Sequence, residues 1–500
     1  MTGRAFVTAL LILFQAGALV LGLLFLNSYF VYLNAFCVFI SLAIVLYLVS
    51  KPDNPAYKLA WIIPILVFPA LGGILYFIFG KRSVSPKARR RMRELRQKLE
   101  HYLPEEKEIC DKLAAENLIA YRQSAYIRHA SGSPVRQNTY TCFLTPGEEK
   151  FDALLEAIKK AERFIFLEYF IIDEGKMWNT VLDLLIQKVK EGVEVRLIYD
   201  DMGTINLLPS GYQKRLRGYG IKTEVFNPFR PSLDVFMNYR DHRKIAVIDG
   251  NIGITGGINL ADEYINAYAK HGYWKDSSVM LKGDGVWNLT VMFLSMWEYC
   301  TGKSENYDQY RPTASYGGQG FVQPFCDSPT DRCLAGESAY MNMIRYAKKY
   351  VYIATPYLIL DNEMATVLNL AAQSGIDVRV ITPHIADKWY VHEVTRSNYA
   401  NLLENGVKIY EFTPGFIHAK TMVVDDQFAI VGTTNFDYRS FYLHYECGVW
   451  MYQTDAVGQV LEDYQKILAE SEQITLEQCR AVPLPKRILR ALLNIFAPLM

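Results

Sequence analysis

One block of sequence occurs twice in this 500-residue chain, with its pieces in the same order. "AERFIFLEYFIID" (161–173) is answered by "AKKYVYIATPYLILD" (347–361), and "GVEVRLI" (192–198) by "GIDVRVI" (375–381). "YGIKTEVFNP" (219–228) is answered by "NGVKIYEFTP" (405–414), and "HRKIAVIDGNIGITGGIN" (242–259) by "HAKTMVVDDQFAIVGTTN" (418–435). Short β-rich apolar runs alternate with helical patterns such as "TVLDLLIQKVKEG", which reads as α/β. A repeat of this kind is one supersecondary unit used twice. The expectation is two tandem α/β repeats packed as a pseudo-dimer, over residues 135–314 and 315–480. The boundary falls in the turn-rich "TASYGGQG". The first copy carries an extra "FRPSLDVFMN" ahead of its His.

The last pair of segments carries the chemistry. Both read H-x-K-x4-D-x6-G-[GT]-x-N: His242, Lys244, Asp249, Gly256, Gly257 and Asn259, then His418, Lys420, Asp425, Gly432, Thr433 and Asn435. Side chains two apart on a strand share a face, so each His and its Lys point the same way. Asp249 lies seven positions after His242, an odd number, which turns it to the other face and toward a holding role. The same holds for Asp425. The glycines let backbone approach closely, and Asn259 or Asn435 can return a side-chain donor to the site. Two copies face to face would gather two imidazoles, two ammonium groups and two amides. That set suits a phosphodiester: cations and amides for the charge on non-bridging oxygens, one His to attack phosphorus and one to shuttle the proton. The sequence holds no HExxH, no Cys/His cluster and no Walker lysine, so no metal or cofactor is expected.

Each His needs a fixed tautomer and therefore a carboxylate on its other ring nitrogen. "WKDSSV" and "HYECGV" occupy comparable places after the two motifs, which nominates Asp276 and Glu446 as orienting carboxylates.

The first 80 residues differ from the rest. Ala5–Val49 carries no charge, and Leu59–Gly80 is a second apolar run. A membrane helix needs about 20 apolar residues. Two or three spans are therefore expected within residues 1–80, the first run hinged near Asn27 and Ser28. A basic juxtamembrane segment follows, 81–134, opening with "KRSVSPKARRRMRELRQK", which puts the catalytic part on the cytoplasmic side and can touch anionic lipid. Residues 481–500, "PLPKRILRALLNIFAPLM" included, read as a C-terminal amphipathic segment that lies on a membrane or packs on the soluble part. The net charge of +1 counts against nucleic acid as a partner. Eight scattered cysteines without a CxxC pair fit reduced thiols.

The two H-x-K-x4-D segments resemble the paired HKD signatures of the phospholipase D superfamily, over about residues 135 to 480. "NPAYKLAWIIPILVFPALGGILYFIFG" ahead of a basic stretch, "TPYLILD" and "GTTNFDYRSFYLHYE" are similar to bacterial cardiolipin synthases. The resemblance implies two phospholipase D-like domains behind transmembrane helices, in a multi-pass protein of the bacterial cell membrane. It implies transfer of a phosphatidyl group from one phosphatidylglycerol to another, giving cardiolipin and glycerol through a phosphatidyl-histidine. It counts His242, Lys244, Asp249, His418, Lys420 and Asp425 as the catalytic set, and favours His242 as nucleophile, which the near-symmetric motif leaves open. It makes Lys244, Lys420, Asn259 and Asn435 phosphate ligands, and Arg439 and Ser440 supports of the site. Phosphatidylglycerol and anionic membrane lipids are the partners implied. Leu360 and His444 depart from the family, which commonly has Pro and Asn there. A hydrolase, another phosphatidyltransferase and a phospholipase D-type nuclease are the alternatives.

Overall fold

The structure is a computed structural model that describes residue 17 and residues 30–80, 86–228, 239–330 and 333–499. The hinge expected at Asn27–Ser28, the start of the first apolar run, residues 81–85 and nearly all of the insert before His242 lie outside the described residues. The chain forms two compact units, one built on Met1–Arg82 and one on the rest.

In the first unit, α1 (Phe30–Ser50) is a 21-residue helix without a charged residue. The second apolar run was expected to make one span. It makes two helices, α2 (Pro55–Val67) and α3 (Pro69–Phe79), at roughly 20 and 16 Å too short to cross separately. They fold back on each other as an antiparallel hairpin. The Tyr57 hydroxyl donates to the Gly80 carbonyl at 2.8 Å, and the Trp61 and Tyr76 rings meet edge to face. Gly72 lies so close to the Pro64 carbonyl that a Cβ there would sit 2.5 Å from its oxygen. The turn follows from local chemistry. Pro64 and Pro69 lack backbone N–H groups, and the residue before a proline is driven out of the helical region, as Phe68 is. The run thus ends beside where it begins. Among the described residues no helix is long and apolar enough to cross a membrane. Phe36, Phe39, Leu46, Val67, Phe68 and Phe77 are all exposed.

The second unit holds two sheets of the same plan. The first is built from β1 (Thr139–Leu144), β2 (Phe164–Tyr169), β3 (Glu194–Asp200), β4 (Lys222–Phe226), β5 (Ile245–Ile248), β6 (Ile252–Gly256) and β7 (Ser278–Gly283), in the order β1-β7-β6-β5-β2-β3-β4. The second is built from β8 (Phe321–Asp327), β9 (Tyr350–Ala354), β10 (Asp377–Pro383), β11 (Lys408–Phe412), β12 (Thr421–Val424), β13 (Phe428–Gly432), β14 (His444–Tyr452) and β15 (Ser471–Ile474). Its order, β8-β14-β13-β12-β9-β10-β11, repeats the first, with β15 added at the edge. In each, three strands run parallel (β2-β3-β4, β9-β10-β11) and the HKD strand pairs antiparallel with the first of them. Both sheets are mixed α/β, as expected from the alternating patterns.

The repeats share a core. Val247, Val279 and Leu281 of the first sheet cluster with Val423, Val431 and Val449 of the second. Every one of these is fully buried, so at about 25 cal/mol per Å² each pays into one common interior rather than two separate ones. Helix α4 (Pro86–Tyr102) belongs to this unit. Part of its basic face, expected on lipid, is turned onto protein: Arg91 donates to the carbonyl of Glu298, and Lys98 pairs with the Glu298 carboxylate, both on helix α5 (Val286–Thr301). Arg96 donates to the carbonyls of His129 and Ala130.

Two exchanged strands join the repeats. Arg240–Asp241, just before His242, pairs in parallel with His444–Tyr445 at the start of β14. Gly415–Ile417, just before His418, pairs in parallel with Tyr273–Lys275. Each His thus enters the site beside a strand of the other repeat.

Candidate active site

That exchange fixes the histidines twice over. The His242 amide donates to the Tyr445 carbonyl at 2.9 Å, and His418 donates to the Lys275 carbonyl at 2.6 Å. The next residue on each partner strand is the carboxylate. His242 Nδ1 lies 2.9 and 3.0 Å from the two oxygens of Glu446, and His418 Nδ1 lies 2.7 Å from Asp276 Oδ2. The pairing is crossed: each repeat supplies the carboxylate for the other's His. Asp276 and Glu446 are fully buried. The Thr433 hydroxyl also donates to Glu446 at 2.5 Å. The first repeat has Gly257 at that place, where a Cβ would strike Asp276 Oδ1.

With a carboxylate accepting from Nδ1–H, Nε2 of each ring carries the free lone pair. Both rings line one cavity of about 780 Å³, together with Asn259, Asn435, Arg439 and His444. Aromatic walls flank them: Phe170 stands 5.1 Å from the His242 ring, Trp274 and Tyr264 5.3 and 5.6 Å from that of His418. Lys270, Lys388 and Tyr390 also border the cavity.

Burial first, then the charges of Lys244, Lys420 and His418, hold His242 well below the ordinary imidazole value. His418 is pushed down to about 4 by burial and by Lys420, against an upward pull from Asp276. Both rings are therefore neutral near pH 7, the form a nucleophile or base needs. Burial lowers Lys244 to about 8 and Lys420 to about 7.

The lysines are not on the cavity wall. Both are buried, and each ammonium donates to the carbonyl of its own motif's His, Lys244 to His242 and Lys420 to His418. They stand behind the rings and act on them through charge. Asn259 is largely engaged as well: its oxygen accepts from the Ile171 amide at 3.0 Å and its nitrogen donates to Tyr264 at 2.7 Å. Among the described residues the Asn435 oxygen has no hydrogen-bond partner. Arg439 lines the cavity, while the Ser440 amide donates to Asp437, whose carboxylate caps the turn.

Asp249 and Asp425, counted in the catalytic set by the resemblance, sit at the far ends of their strands in left-handed backbone, φ 56° and 54°. Asp249 accepts from the amides of Glu162, Arg163 and Phe164 at 2.8–2.9 Å. Asp425 accepts from Lys348, Lys349 and Tyr350 at 2.6–2.9 Å. Each carboxylate is spent on the start of the neighbouring central strand. The strands span only Ile245–Ile248 and Thr421–Val424, so the left-handed turn at the strand end, and not alternation from the His, carries each carboxylate away from the cavity.

His444 stands 5.3 Å, ring to ring, from His242, with Nδ1 3.5 Å from Glu446. Burial lowers it to about 3. His242, His444 and Glu446 are close enough to ligate one ion, yet an ion there would displace the His242–Glu446 hydrogen bonds. His444 and Trp274 stand two residues before Glu446 and Asp276 in the quoted segments, a signal that could have placed them at the site; nothing in the sequence pattern marks Tyr264.

The cardiolipin synthase, phospholipase D-like domain model matches residues 154–272 and 340–468, and the phospholipase D-nuclease N-terminal model matches 37–81. A Streptococcus mutans protein is 42% identical over 459 residues, covering 91% of this chain and 99% of that one. A cardiolipin synthase of Alkalihalophilus pseudofirmus is 36% identical over 455 residues, covering 89% of this chain and 90% of its own length. The chain belongs to the cardiolipin synthase family. It is thereby a phosphatidyltransferase of the phospholipase D superfamily. The cardiolipin synthase matches fall on both repeats, so the family's domain is present twice, as the two sheets are. The crystal structure of a phosphatidylserine synthase from Haemophilus influenzae shares the fold, with TM-score 0.57 at 15% identity, covering 77% of this chain and 98% of that one.

Proposed function

We propose that this cardiolipin synthase family member transfers a phosphatidyl group from one phosphatidylglycerol to a hydroxyl of a second, releasing glycerol and forming cardiolipin. The observation that carries the reading is a pair of histidines lining one cavity, each with Nδ1 held by a buried carboxylate of the other repeat. In the first step Nε2 of His242 attacks phosphorus. The phosphorus–oxygen bond to glycerol breaks, and His418, which enters this step as the imidazolium after taking a proton from solvent, with the Asp276 carboxylate as counter-ion, gives its Nε2 proton to the leaving oxygen. In the second step His418 takes the proton from the acceptor hydroxyl, whose oxygen displaces His242 and restores the free imidazole. Asp276 favours His418 for the proton-carrying role, since it pulls that ring's affinity for protons upward. Lys244, Lys420 and Arg439 supply positive charge for the phosphorane oxygens. Asp276 and Glu446 hold the tautomers, and Asp249 and Asp425 hold the strands.

Membrane attachment by the first unit is part of the reading. The outward apolar side chains of α1–α3 support it. The hairpin brings the start of α2 and the end of α3 to one level. The basic residues that follow would then stand on the cytoplasmic side.

The test is incubation of the purified protein with labelled phosphatidylglycerol, resolving cardiolipin, phosphatidic acid and glycerol. Cardiolipin and glycerol in equal amounts are expected, and His242→Ala and His418→Ala should each abolish transfer in folded protein. Phosphatidic acid without cardiolipin would make water the acceptor and the protein a hydrolase.

A further inference from the structure

Helix α6 (Trp389–Ser397) carries a second helix, α7 (Leu484–Ile495), docked the wrong way round for a protein surface in water. A surface helix buries its apolar stripe and exposes its charges. Here two of the three charged residues, Lys486 and Arg490, face in. Lys486 and Arg490 bond to the two oxygens of Glu393 on α6, at 2.9 and 2.8 Å, and the Arg490 side chain is only 12% exposed. The apolar stripe faces out. Leu484, Ile488, Leu492 and Phe496, four residues apart along one face, are 66, 52, 53 and 40% exposed. Trp389, at the start of α6, is 62% exposed.

The stripe leads directly to the cavity. After α7 the chain turns through Ala497 and Pro498, both buried, and Leu499 lines the same cavity as His242 and His418. Tyr390 and Val391 of α6 line it too.

We propose that α7 with Trp389 is a bilayer-docking surface that seats the cavity opening on the membrane, so that a phospholipid passes along the apolar stripe and Leu499 to the histidines. The occupant is an anionic phospholipid bilayer. An outward apolar stripe is stable only against apolar matter. Arg487, exposed on the same helix, and Lys388, on the cavity border, suit anionic headgroups. Exposed aromatic residues such as Trp389 sit well at the headgroup level. The inference rests on the phospholipid reading of the cavity.

The test uses the full chain reconstituted in vesicles containing phosphatidylglycerol. Leu492→Trp adds emission to that of the seven native tryptophans, and brominated phosphatidylglycerol should quench the added emission. This readout needs no turnover, so it stands apart from the fate of the proposed reaction; unquenched added emission overturns the docking. In the double variant Ile488→Glu, Leu492→Glu, KM for vesicle phosphatidylglycerol should rise about tenfold or more, while kcat on short-chain monomeric phosphatidylglycerol stays within about twofold. Both changes are on exposed positions, so the melting temperature should hold. An unchanged vesicle KM, or an equal loss on the monomeric substrate, defeats the proposal. A double variant that instead converts a dimer to a monomer without moving the vesicle KM assigns the stripe to a second copy of the chain.

Discussion

Glu446 of the second repeat holds Nδ1 of His242 in the first, at 2.9 Å, and Asp276 of the first holds His418 in the second. Neither motif histidine finds this carboxylate in its own repeat. The two pairs therefore form only when the exchanged strands are in place.

Removing the carboxyl charge while keeping the shape should cost rate without costing fold. Glu446→Gln and Asp276→Asn are each expected to lower kcat by about 10² to 10⁴, because the amide no longer selects the Nδ1–H tautomer. The pH profile should shift with the loss, which a purely structural role does not produce. Single-turnover assays with labelled lipid separate the two halves of the reaction. A loss below about threefold for both variants would remove the orienting role.

The pH dependence follows from the shifted groups. The working form has a neutral His242, a His418 that gives and retakes one proton, and charged lysines. As pH falls through about 4, His418 stays protonated and can no longer take the proton of the acceptor hydroxyl. As pH rises through about 7 and 8, Lys420 and then Lys244 lose theirs, and charge stabilisation weakens. kcat/KM on vesicles of fixed composition should therefore fall on the alkaline side close to neutrality, since it reports the free enzyme. Lys420→Arg keeps its charge throughout this range and should carry the alkaline limb upward. An unmoved limb rules out Lys420 as its source.

Asp249 and Asp425 should behave as structural residues despite their place in the signature. Asp249→Ala strips the acceptor from three amides at the start of β2 and should cost about 3 kcal/mol of stability. Activity per folded molecule should stay within a few fold. Urea titration alongside active-site labelling measures both. A large loss of turnover with an unchanged unfolding midpoint would return Asp249 to the chemistry.

The hairpin of the first unit makes a topology prediction. Cysteines placed at Asp53 and at Ser83, flanking α2 and α3, should react with an impermeant thiol reagent from the same side of sealed vesicles. Labelling from opposite sides means that the second apolar run crosses. Gly72→Leu should destabilise the protein in detergent, because its Cβ would meet the Pro64 carbonyl.

Much of the second unit was legible from the residues. The strands β2, β3, β4 and β5 and their counterparts announce themselves by local pattern, and the repeat is read by matching text. The odd step from His242 to Asp249 suggested a holding role, but the structure reaches it by another route: the strand ends at Ile248 and Asp249 turns back onto the amides of Glu162, Arg163 and Phe164. Asp276 and Glu446 were nominated by their similar positions after the motifs. Their partners were not, since His418 and Asp276 are 142 residues apart and His242 and Glu446 are 204.

The sequence by itself determined the two α/β copies, the paired histidines and lysines, and the apolar and basic segments. Each of these depends on spacing within a few residues. Tertiary structure alone decided that the carboxylates cross between repeats, that the lysines stand behind the rings, and that Leu59–Gly80 turns back on itself. It also decided that α7 turns Lys486 and Arg490 onto Glu393 and leaves Leu484, Ile488 and Leu492 exposed. Those outcomes depend on which distant backbone comes close: Tyr445 to His242, Lys275 to His418, Pro64 to Gly72 and Glu393 to Arg490. Packing and hydrogen bonding over such separations reward a contact only once the whole fold has brought the partners together, so no local pattern carries the signal.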